Sequence, residues 1–74
     1  MRRLGEVVRT AQGLAIVRCA DDDPPRIGTA AIDDGLQPVG RVVDVFGSVE
    51  RPYLAITPEG DHPAMLLGSV VYAR

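Results

Sequence analysis

Few residues of this chain could do chemistry, and their spacing argues against it. His62 is the only imidazole and Cys19 the only thiol. A nucleophile and its base would need to meet in space, and no local signature links these two. His62 stands in the polar stretch EGDHPA (59–64), beside Asp61 and Pro63, and reads as a solvated loop histidine. Cys19 follows the apolar run LAIV (14–17) and reads as a buried thiol. One cysteine supports neither an intramolecular disulfide nor a four-thiolate metal site. Asp21, Asp22 and Asp23 are consecutive, whereas a calcium loop draws its ligands from spaced positions. Asp33 and Asp34 would face opposite sides of a strand, and Asp34 is expected to serve the Asp-Gly turn that follows. No phosphate-cradling G-x-x-x-x-G-K pattern is present. No catalytic residue, metal ligand set or cofactor site is therefore assigned.

With 74 residues the chain is expected to form one domain spanning 1–74. A core of that size yields a few kcal/mol at most, which favours a life in partnership. The formal charge of −2 is unevenly spread. Residues 1–18 carry four Arg against Glu6, whereas residues 19–40 carry Arg26 against five Asp. A self-sufficient nucleic-acid binder shows a broad basic patch, which this distribution does not offer. Arg2, Arg3 and Arg9 could supply an auxiliary RNA contact. All eight basic residues are Arg, whose planar fork suits paired recognition of carboxylates. The start MRRLGEVV is interrupted by Glu6 and Arg9 too early for a signal peptide, and no run of apolar residues is long enough to span a membrane as a helix.

Any working surface must be positioned by strands. Gly and Pro recur about every 8 to 12 residues, an all-β rhythm. LGEVVRT (4–10) and LAIVRC (14–19) read as a hairpin about AQG, with Gly13 free to take positive φ. ADDDPPR (20–26) reads as a surface loop, IGTAAID (27–33) as a third strand, and LQPVGRVVDVFG (36–47) as a fourth. In the fourth, strict alternation puts Val43 and Val45 on one face and Val42, Asp44 and Phe46 on the other, with Phe46 closing the core. Gly40 marks a bulge or a close backbone crossing. Pro38 and Pro52 belong at strand starts. VERPYLAITP (49–58) and MLLGSVVYAR (65–74) supply the fifth and sixth strands. The resulting fold class is all-β, a small six-stranded antiparallel β-barrel whose closure removes exposed edges.

The stretch DVFGSVERPY (44–53) is the best candidate surface. An interface needs a few aromatic or Arg anchors in apolar surroundings, and Val49, Arg51, Pro52 and Tyr53 provide them. Phe46, Tyr53 and Tyr72 lack the interleaved basic residues of an RNA-stacking platform.

Four segments carry a family resemblance: RLGEVV (3–8), GLAIVR (13–18), VGRVVDVFGSVERPYLAITP (39–58) and LGSVVYA (67–73). In order and across nearly the whole chain, they resemble the core domain of the glycine–arginine-rich protein of box H/ACA ribonucleoproteins, in its short archaeal form. The resemblance implies a six-stranded barrel of the translation-protein-like split type, without catalytic residues or cofactors. It implies a cytoplasmic archaeal subunit that binds the pseudouridine synthase catalytic subunit directly and assists guide-RNA-directed pseudouridylation of rRNA. A kink-turn-binding protein, a zinc-ribbon subunit and the guide RNA would share the particle, mostly without direct contact. The docking surface it implies maps to Gly40, Arg41, Asp44, Gly47, Ser48, Val49, Arg51, Pro52 and Tyr53. Ser48 stands where that family usually has Pro, the Gly/Arg-rich tails of eukaryotic relatives are absent, and 20–35 is unusually acidic. IDDGLQPVGRVVDVFG (32–47) is also similar to PRC-type barrels, so an adaptor of that kind in ribosome maturation is the alternative. A stand-alone small-barrel RNA-binding module is the third.

Overall fold

The computed structural model describes residues 1–60 and 62–74; Asp61, assigned above to the 59–64 loop, lies outside the described residues. Six strands form the barrel: β1 (Arg2–Ala11), β2 (Leu14–Cys19), β3 (Ala30–Ile32), β4 (Pro38–Gly47), β5 (Pro52–Pro58) and β6 (Val70–Ala73). They close in the order β1-β2-β5-β4-β3-β6, and all six pairings are antiparallel. The expected small closed barrel is thus what the chain builds.

The connections follow from local chemistry. Ala11 pairs with Leu14, which leaves Gln12 and Gly13 as a two-residue loop. Both have positive φ, 52° and 80°, as a type I′ hairpin turn requires. Pro38 and Pro52 open their strands, where a missing N–H costs no ladder bond. Gly40 is a close crossing: a Cβ there would collide with the Thr57 carbonyl oxygen of β5. Gly5 plays the same part between β1 and the Arg18 carbonyl of β2.

Every strand contributes to the core. Leu4 and Val7 from β1 meet Ala15, Val17 and Cys19 from β2, Ala31 from β3, Val39 and Val42 from β4, Leu54 and Ile56 from β5, and Val71 from β6. Leu66, from a 3-10 turn over Pro63–Leu66, packs against one side of this cluster. Each fully buried Val, Leu or Ile contributes about 1.5–3 kcal/mol relative to exposure.

Four expectations need correction. Alternation along β4 is reset by a bulge between Val42 and Asp44, so Val42 and Val45 turn inward while Val43 and Phe46 turn outward. Phe46, 37% exposed, therefore does not close the core. The third strand is confined to Ala30–Ile32, because Gly28 turns the chain with φ 97° just before it. The sixth begins only at Val70: Pro63 starts a 3-10 turn, and Gly68, with φ 83°, swings the chain back so that its N–H bonds the Val7 carbonyl at 2.9 Å. Finally, Asp33 and not Asp34 organises the 33–37 turn. The Asp33 carboxylate accepts the N–H groups of Gly35 and Gln37, each at 2.9 Å. The positive φ falls on Leu36, at 66°.

Candidate docking site

β4 and β5 run together from Gly40 opposite Pro58 to Gly47 opposite Pro52. Gly47 leaves the ladder with φ 94°, and residues 48–51 make the connection. The Arg51 N–H donates to Ser48 Oγ at 3.1 Å, which ties the loop across its base. Ser48 thereby braces the loop internally. Val49 projects from the tip and is 90% exposed, the highest among the large apolar residues. Pro52 is buried beneath it at the start of β5.

Phe46 and Tyr53 are directly paired across the strands, and their rings stack with centroids 5.8 Å apart and planes 19° from parallel. Such a pair adds about 0.5–1.5 kcal/mol beyond the area it buries and holds both rings in place. Outward positions continue the row: Tyr53 opposes Arg18 of β2, and Arg18 opposes Glu6 of β1. Alternation alone could not reveal this row, because it depends on the strand order and on the β4 bulge.

A second segment reaches the same end of the barrel. Residues 20–24 meet the β4–β5 tip across an open cleft of about 200 Å³. Val45 and Pro52 line it with Phe46 and Val49 on the hairpin side, and Asp22 and Pro24 on the loop side. Arg2 holds the loop. Its guanidinium pairs with Asp21 at 3.5 Å and Asp23 at 3.8 Å, and donates to the Asp23 carbonyl. The Asp23 N–H in turn donates to the Asp21 carboxylate at 2.9 Å. Among the described residues Asp22 takes part in no ion pair.

The structure gathers Gly47, Ser48, Val49, Arg51, Pro52 and Tyr53 into one end. Asp44 sits below them at the bulge, where its carboxylate accepts the Val45 N–H at 2.8 Å. Gly40 and Arg41 lie toward the other end of β4, about 20 Å from the tip at roughly 3.3 Å per residue. Arg41 is engaged there, donating to the Gly28 carbonyl at 2.6 Å. Arg2, Arg3 and Arg9 do not form one patch: Arg2 braces the acidic loop, Arg3 opposes Tyr72, and Arg9 opposes Ile16 farther along β1. Asp22, Pro24 and Phe46 are the site residues that local sequence reading missed. Only the long-range approach of 20–24 to the tip reveals the first two.

This end offers apolar and aromatic surface for contact. Ser48 Oγ lies on an exposed turn as the acceptor for the Arg51 N–H, and no imidazole borders the cleft. At about 200 Å³ the cleft falls below the roughly 300–1,000 Å³ of small-molecule sites, yet it admits a side chain. Elsewhere, Cys19 is buried and His62 exposed. Burial raises the Cys19 thiol pKa, the Asp21 carboxylate adds to the rise, and Arg2 partly opposes it. Among the described residues no three His, Cys, Asp or Glu side chains converge as a metal set, and no helix is long and apolar enough to cross a membrane. No protein-family model matches the chain, and no curated protein matches it.

Proposed function

We propose that this chain is a non-catalytic docking subunit whose β4–β5 end seats on a protein partner. The observation that carries the reading is Val49, 90% exposed on a braced tip beside the Phe46–Tyr53 stack. Singly exposed apolar side chains are ordinary; Val49 differs in sharing one cleft lining with Val45, Phe46, Pro24 and Pro52. Here it stands next to aromatic and Arg neighbours, the residue types that anchor interfaces. The partner's identity comes from the sequence resemblance of 39–58: the pseudouridine synthase catalytic subunit of a box H/ACA particle acting on rRNA. In that role the barrel supplies a rigid platform. It assists turnover by favouring one position of an RNA-contacting segment of the enzyme, which requires different contacts in the two positions. Breaking and remaking the base–ribose bond belongs to the partner.

One observation favours a second reading. The stack, with Arg18 opposite Tyr53, has the elements of a platform for single-stranded RNA. The net charge of −2 argues against it.

Co-purification of the full chain with the pseudouridine synthase of its host tests both. The wild-type chain is expected to form the complex, and Val49→Glu to lose it while keeping the thermal melt of the barrel. A wild-type chain that forms no complex overturns the docking reading. RNA binding by the free chain that survives about 0.2 M salt establishes the second.

A further inference from the structure

The cleft beside the tip has a chemical character that narrows what can enter it. Its hairpin side is mostly apolar, through Val45, Phe46, Val49 and Pro52, with Ser48 as its polar member, and Pro24 extends that surface across the opening. Among the described residues Asp22 is the one charged residue on its lining. The neighbouring carboxylates, Asp21 and Asp23, share Arg2 in exposed ion pairs, while Asp22 takes part in none among the described residues. Glu50 and Arg51 at the tip offset each other. The local field is therefore negative, which repels a phosphate backbone and attracts a cation. The volume of about 200 Å³ suits one or two side chains.

We propose that this cleft is a socket for a protein segment carrying an apolar side chain next to an Arg or Lys: the apolar group enters between Pro24 and Pro52, and the cation meets Asp22. The proposal rests on the docking reading above and specifies which feature of the partner is read. It gives ADDDPP (20–25) a role that a solvated loop would not have.

The test is titration calorimetry of the full chain against the purified synthase subunit, at about 0.1 M and about 1 M salt, where the Debye length falls from about 10 Å to about 3 Å. Asp22 lies on an exposed loop, so Asp22→Asn and Asp22→Arg are expected to melt with the wild type. At the lower salt Asp22→Asn weakens binding about two- to fivefold, in keeping with a partly exposed ion pair. Asp22→Arg weakens it about tenfold or more, because it places like charges together. Both differences shrink at the higher salt. If both variants bind as the wild type does while Val49→Glu still abolishes the complex, the socket is overturned and the docking reading stands. A loss equal at both salts also overturns it, since that marks a structural role for Asp22. Tighter binding of Asp22→Arg, to the synthase or to single-stranded RNA, overturns it because an anion would then fill the cleft. Absence of any wild-type complex removes the docking reading and the socket together.

Discussion

At the scale of single residues, Gly40 and Cys19 show how little freedom the barrel leaves. Gly40 passes so close to the Thr57 carbonyl that a methyl group has no room, and both partners are backbone, so neither can yield by changing rotamer. Gly40→Ala is expected to cost about 2–3 kcal/mol. In a domain this small that lowers the melting temperature by roughly 10 °C or more. A melt followed by circular dichroism checks it, and an unchanged midpoint would contradict the close crossing. Cys19 carries a pH dependence. Its thiol pKa is raised in the fold by burial first, with Asp21 adding to the shift. Above the unfolded thiol pKa of about 8.5, the unfolded chain releases a proton that the folded chain keeps. Stability is therefore fully present below about pH 8.5 and declines as pH rises through the folded value. The chain has no Lys, so few other groups titrate in that window. Melting temperatures measured from pH 7 to pH 10 should stay level and then fall. Cys19→Ala should flatten that fall, even though the smaller side chain lowers the midpoint overall.

At the scale of elements, the 33–37 turn separates what a sequence displays from what it conceals. Asp-Gly at 34–35 announces a turn, and a turn is there. The brace, however, is Asp33, whose carboxylate takes two backbone N–H groups at 2.9 Å. Asp33→Ala should cost about 1–2 kcal/mol, comparable to the loss of a helix cap. Asp34→Ala should stay within about 0.5 kcal/mol. Equal melts for the two variants would refute the assignment. The same contrast runs through the other elements. Strand existence was legible because Gly and Pro interrupt apolar runs, and the starts at Pro38 and Pro52 were legible because Pro lacks a ladder donor. Which face Phe46 takes was not, since one extra residue between Val42 and Asp44 reverses everything beyond it. The start of β6 was hidden as well: Met65 and Leu66 look like strand residues, but Pro63 and Gly68 commit them to a 3-10 turn. Of the candidate site, the tip could be read from VERPY, whereas Asp22 and Pro24 arrive from a loop far away in sequence.

At the scale of the whole molecule, barrel closure is uneven. β4 and β5 pair over their length, as do β1 and β2, but β3 has three residues and meets β6 only through Ala31 with Ala73 and Ile32 with Tyr72. In the ring order this seam lies opposite the β2–β5 pairing. Local opening is easiest where the fewest hydrogen bonds and the least buried surface must be given up. The barrel should therefore breathe at β3–β6 while β2, β5 and β4 stay closed. This division suits a docking subunit, because the proposed contact end is carried by β4 and β5, on the well-paired side, and can press on a partner without yielding. Amide hydrogen exchange of the free chain tests the division. Protection at Ala31, Ile32, Tyr72 and Ala73 is expected to be at least about tenfold lower than at Leu54, Ala55 and Ile56, a gap of about 1.4 kcal/mol in opening free energy. Uniform protection across all six strands would mean that the ring opens only as a whole. The proposed contact end would then have no mechanical advantage over any other part of the barrel. Exchange measured again in the complex separates the two sides further. Covering the β4–β5 tip should slow the amides of residues 47–53 and leave the seam unchanged, whereas slowing at the seam would place the partner on the β3–β6 side of the barrel.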